Sequence, residues 1–234
     1  MASESGRQRI PRRFGWIAAA LAAVAIVAAV VVVLTLGSPS VGATMRAAGC
    51  TYRDVTPYPP KHDANYHLDF PTLSTPPHWT TFPPAGGGHY RLWAVWGFYE
   101  KPVNPRQVVH NEEHGGVVIW WGPKVSKATI AQLKAFYAEE PVGMFGTPIA
   151  GLGDKIALTA WTADPRWKGD PGLAYLHHFY GTGRIAICPN FDQKAFARFR
   201  DAYRGRSPQG FPLDYDKPGC GPETTCTPAK NVDA

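Results

Sequence analysis

The 234-residue sequence lacks the short motifs of several common enzyme classes. It has no Gly-x-Ser-x-Gly elbow, so the exposed serine of the α/β-hydrolase type is excluded. The triple glycine Gly86-Gly87-Gly88 is not followed by Lys-Ser or Lys-Thr, which excludes a phosphate-cradling P-loop and leaves a turn. Cysteine is scarce: Cys50, Cys188, Cys220 and Cys226, with no C-x-x-C spacing, so neither a zinc ribbon nor a dithiol redox centre is indicated. No internal repeat is visible. After the first few residues there is no basic run, which removes the electrostatic footprint of a nucleic-acid partner.

What is present begins with an anchor signal. Arg7, Arg9, Arg12 and Arg13 precede 21 uncharged residues from Trp16 to Leu36. At about 1.5 Å per residue, a helix of that length spans the roughly 30 Å of a bilayer's hydrocarbon. The arginines lie on one side only, so the positive-inside rule places residues 1–14 in the cytoplasm and the remainder outside. Residues 15–36 are then a single-pass plasma-membrane anchor, and the arm can also meet anionic lipid heads. The competing reading is a cleaved secretory signal ending near Val41-Gly42-Ala43, but the apolar run exceeds the usual 7–15 residues. Both readings export the rest of the chain. Against Glu4, the four arginines supply +3 of the net charge of +6, so the exported part is only mildly basic.

Outside the cytoplasm the even cysteine count predicts disulfides. Four cysteines allow three pairings; Cys220 with Cys226 would close a short loop and leave Cys50 for Cys188, and the sequence leaves the other two pairings open. Residues 37–49 read as a small-residue linker. From Cys50 to about Pro84, proline density excludes regular helices, while Tyr58, Tyr66, Phe70, Trp79 and Phe82 predict an ordered, irregular wrap. Leu92 to Tyr99 reads as a strand. Asn104-Pro105 with Gln107 predicts a helix start, and Gly115 its end. Gly116 to Trp121 reads as a buried strand. Ser126 opens a helix with Ile130, Leu133, Phe136 and Tyr137 at helical spacing, closed by Pro141. Ile149 and Ile156 to Trp161 predict two short strands, and Arg184 to Cys188 another. Phe191 to Tyr203 is the last helix, capped by Asn190 or Asp192. Residues 207–234, rich in Pro and Gly, read as a loosely ordered tail. The expected fold is therefore α+β: one small domain over residues 50–206, with a mixed sheet and two main helices.

The densest chemistry is His110-Asn111-Glu112-Glu113-His114-Gly115-Gly116. On a helix, His110, Glu113 and His114 share a face. Two imidazoles beside a carboxylate can hold a transition metal ion, with His89 after the glycine turn as the distant ligand. The expected metal ligands are thus His89, His110, Glu113 and His114, and the ion copper or zinc. The letters also satisfy H-x-x-E-H, the pattern of inverted zinc peptidases, but Gly115-Gly116 cuts the helix short. The plainer alternative is that the histidines only tie down a turn. Glu112 reads as a solvated side chain. His177-His178 point apart and do not readily serve one site; His62 and His67 lie beside Asp63 in the wrap, where Cu(II) or Zn(II) could use them, but the plainer reading is exposed polar side chains. Trp93, Trp96, Trp120 and Trp121 are expected in the core rather than on a carbohydrate platform.

Phe82 to Gly122 resembles the exported actinobacterial proteins grouped as domain of unknown function 3105. The resemblance rests on Pro83-Pro84-Ala85-Gly86-Gly87-Gly88-His89-Tyr90 and on the run from Val109 to Val118, supported by Leu158 to Trp161 and the helix at Phe191. It covers about residues 48–206. Where the family usually has Thr-Ser-Gly, this chain has Ala85-Gly86-Gly87, and where the family has an apolar residue, this chain has Glu112. The resemblance implies export and implies no reaction. Three functions remain open: a tethered metal-binding domain, a non-catalytic envelope module for a protein or polymer, and a metal hydrolase with Glu113 as base.

Overall fold

The computed structural model describes residues 39–57, 67–68, 79–90, 93–177 and 179–210. The apolar run, most of the proline-rich wrap with His62 and His78, His178, Cys220 and Cys226 lie outside these. Among the described residues no helix is long and apolar enough to cross a membrane.

The unit from Val41 onward is α+β. Its elements are α1 (Val41–Ala47), β1 (Thr51–Val55), β2 (His67–Leu68), β3 (His89–Tyr90), α2 (Pro105–Glu113), β4 (Val117–Trp121), α3 (Lys127–Glu139), β5 (Met144–Pro148), β6 (Ile156–Thr162), a 3-10 helix (Pro171–His177), β7 (Thr182–Cys188) and α4 (Gln193–Tyr203). Five strands form one mixed sheet in the order β1-β7-β6-β4-β5, parallel only between β4 and β5. β2 and β3 make a separate short parallel pair.

Strand alternation divides the core between the two faces. Val117, Ile119 and Trp121 of β4, with Ile156, Leu158 and Ala160 of β6, pack with Met45 of α1, Leu133 and Phe136 of α3, and Phe196 and Phe199 of α4. Val118, Trp120 and Ala157 point the other way, onto Ala94, Trp96 and Val108. With both faces covered, β4 is buried throughout, hence its unbroken apolar run. The four expected core tryptophans are all buried. A disulfide joins Cys50 to Cys188, where β1 enters beside the end of β7.

The caps at Asn104, Ser126 and Asp192 form as the sequence predicts, each side chain accepting a backbone N–H of its helix. Four expectations need correction. Residues 41–47, read as linker, are a helix whose Met45 is fully buried. Strand β1 lies inside what read as irregular wrap. The described part of Leu92 to Tyr99 is not a strand, because Ala94 satisfies its N–H and C=O on the Asn111 side chain, both at 2.9 Å. Its only ladder contact is Phe98 against Gly146. Finally, the strand expected at Ile149 is β5, ending at Pro148; Gly146 and Pro148 hide it from propensity.

Candidate metal centre

Helix α2 presents the centre. Pro105 sits in its first turn and Asn104 caps it, accepting from the Arg106 N–H at 3.0 Å. Gly115 (φ +87°) turns the chain into β4 immediately afterwards. Gly116 has no room for a side chain, since a Cβ would lie 2.6 Å from the Trp96 ring. Polar in composition, α2 is nevertheless buried all round from Gln107 to Glu113.

Three side chains converge. Glu113 Oε2 lies 3.1 Å from His89 Nε2 and 3.6 Å from His110 Nε2. One donor atom from each of the three falls within 4.8 Å of the others, and all three residues are buried. The opposite ring nitrogens are committed elsewhere. His89 Nδ1 lies 2.8 Å from the Gly87 carbonyl and His110 Nδ1 2.6 Å from the Tyr90 carbonyl. A carbonyl oxygen only accepts, so both Nδ1 atoms carry hydrogen. In the neutral rings both Nε2 atoms therefore aim lone pairs at a carboxylate oxygen. Three acceptors facing one another require a cation between them, a proton or a metal ion. The Nδ1–H bonds to carbonyls are those that orient metal-bound histidines. Donors sharing one zinc at about 2.0–2.1 Å each lie at most about 4.2 Å apart; both carboxylate–imidazole separations meet that limit, and the set as a whole, within 4.8 Å, would draw in slightly around an ion.

The surroundings hold the set rigid. Ser207 Oγ donates to the Glu113 carbonyl at 2.6 Å, and the Gln209 amide donates to Glu113 Oε1 at 2.5 Å. The described start of the tail is thus docked on the centre rather than loose. Trp161 meets His89 edge-on with ring centroids 5.8 Å apart. His114 takes a different place: it caps α2 and packs on Trp93 with centroids 4.0 Å apart, outside the converging set. The letters H-x-x-E-H therefore bring His110 and Glu113 into the set, with the His114 ring beside that of His110 at 5.0 Å between centroids.

Glu112 corrects the reading of a solvated side chain, because it is wholly buried. Its Oε1 accepts from the Thr159 hydroxyl, whose oxygen in turn accepts from Trp120 Nε1 at 2.7 Å. The Gly86 N–H also favours its charged form, although Oε2 has no hydrogen-bond partner among the described residues. Burial pushes its carboxyl well above the ordinary glutamate range, and these two donors only partly offset that. The glycine turn is held by Gly87 on His89, with the Gly86 N–H acting on the Glu112 carboxylate. Gly86 has φ +103°, and a Cβ there would meet Trp161 at 2.7 Å, so the turn requires glycine. His177 stacks on Trp167, remote in role from this set. Sequence reading missed Glu112, Thr159, Ser207 and Gln209. Gln209 lies 96 residues from Glu113, and no local signal joins them.

No curated protein and no solved structure matches the chain. The profile of the family described as a protein of unknown function (DUF3105) matches residues 73–212, a stretch that contains His89, α2 and the docked Ser207–Gln209 segment, and the chain belongs to that family.

Proposed function

We propose that this is an exported, membrane-tethered protein whose folded domain holds one divalent transition metal ion, zinc or copper, on His89, His110 and Glu113. One observation carries the reading: the carbonyls of Gly87 and Tyr90 fix both imidazoles in the tautomer that turns Nε2 toward Glu113. Tethering is supported by the charge-free run from Trp16 to Leu36 behind four arginines. The burial of all three ligands favours holding an ion over turning a substrate over. Both Glu113 oxygens are also engaged, which leaves it poorly disposed to act as a general base.

Elemental analysis of the untagged full chain tests this, with His110→Ala and His89→Ala alongside. The expected result is close to one equivalent of metal in the wild type and loss of at least nine-tenths of it in each variant. Metal-free wild type after growth with added zinc and copper would show that a proton alone satisfies the three acceptors.

A further inference from the structure

The opposite face of the sheet carries a second feature, independent of the metal centre. Between α3 and residues 97–100 lies a groove of about 360 Å³. That size is at the small end of the ~300–1,000 Å³ typical of small-molecule sites. Its wall is built rather than incidental. Phe98 lies stacked on Trp121, with centroids 4.7 Å apart and planes 15° from parallel, and its ring occupies the space a side chain at residue 146 would take. A Cβ on Gly146 would come 2.3 Å from Phe98 Cδ2. The bonds Tyr99 N–H to Gly146 O at 2.8 Å and Gly146 N–H to Gly97 O at 2.9 Å clamp this segment to β5. Opposite the ring, Ile130 and the small Ala131 form an aliphatic wall.

The charge on the rim is uneven. Lys127 and Lys134 are seven residues apart on α3, which places them about 10.5 Å apart along the axis at the two ends of the groove. Lys134 faces Glu100 at 3.8 Å. Lys127 stands in the first turn of α3, which contains no acidic residue. Among the described residues the rim therefore keeps one uncompensated positive charge at the Lys127 end, beside an aromatic and aliphatic body.

We propose that this groove binds a compact aromatic monocarboxylate, with the ring against Phe98 and Ile130 and the carboxylate at Lys127. A dianion would meet Glu100 at the far end, and a neutral ring would leave Lys127 unmatched. The test uses the full chain in lipid nanodiscs, with 2-naphthoate as probe and empty nanodiscs subtracted. Saturable binding by calorimetry is expected, at least tenfold weaker for the neutral 2-naphthamide and at least tenfold weaker in Lys127→Glu. Ala131→Phe, which fills the groove, should abolish it. Both substitutions are at exposed positions, and Lys127→Glu decides the matter if Ala131→Phe does not fold. Absence of saturable binding to the wild type, equal binding of the amide, or unchanged binding in Lys127→Glu would each overturn the assignment.

Discussion

At the scale of single residues, Glu112 and Glu113 show how neighbouring identical side chains acquire different tasks. Consecutive helix positions diverge by about 100°, so Glu113 faces the two imidazoles while Glu112 faces the glycine turn and Thr159. Because Glu112 acts as an acceptor inside the protein, its carbonyl oxygen matters more than its charge. Glu112→Gln keeps an acceptor for the Thr159 hydroxyl, and should retain stability within about 1 kcal/mol. Glu112→Ala strands that donor and opens a void, and should lose on the order of 2–5 kcal/mol. Urea unfolding measures the difference. Zinc competition with a chromophoric chelator should separate the two variants in the same direction, since only the alanine form releases the turn that carries His89. Equal affinity in both would mean that the turn holds its place without Glu112. Sequence reading placed Glu112 in solvent because nothing local distinguishes a buried glutamate from an exposed one. The donors that make its burial tolerable come from residues 86 and 159.

At the scale of elements, helix α2 is bound to its surroundings by polar contacts as well as by Val108 and Val109 in the core. Asn111 is the clearest case: wholly buried, it gives the backbone of Ala94 both an acceptor and a donor. A side-chain amide thus does the work of a neighbouring strand, and this is why an aromatic run with high strand propensity does not become one. Asn111→Ala would leave two buried backbone groups unpaired at about 1–3 kcal/mol each. The expected outcome is a loss of on the order of 2–5 kcal/mol in urea unfolding. Hydrogen exchange should show protection at Ala94 falling first. Unchanged protection there would mean that the tryptophans alone hold the segment. The capped ends of α2, α3 and α4 were legible in sequence because capping is local chemistry: an Asn, Ser or Asp side chain reaches an N–H two or three residues on. Helix α1 was not, because its signal is Met45 packing into a core assembled by α4 and β1.

At the scale of the whole molecule, the disulfide closes the sheet across most of the domain. Cys50 and Cys188 are 138 residues apart, and joining residues so distant removes much of the unfolded chain's freedom. A Cys50→Ala, Cys188→Ala double variant should lose about 2–5 kcal/mol. Urea unfolding with and without reductant checks this: reductant should bring the wild type down to the reduced variant, and should move the variant only by what Cys220 and Cys226 contribute. The sequence left the Cys50–Cys188 pairing as one of three, and the fold decided it by bringing the start of β1 beside the end of β7. The helix periods, the buried β4 run, the α+β class and the grouping of His110 with Glu113 were open to reading, since they rest on patterns among residues near one another in the chain. Tertiary structure alone decided which of the candidate ligands meet. It brought His89 onto Glu113 across 24 residues, set the His114 ring against Trp93 and His110 outside the converging donors, and laid Gln209 over the set. Sequence sets the local conformational and hydrophobic terms. The meeting of buried polar groups depends on where the packed sheet and helices leave donors and acceptors face to face, and that geometry exists only once the chain has folded.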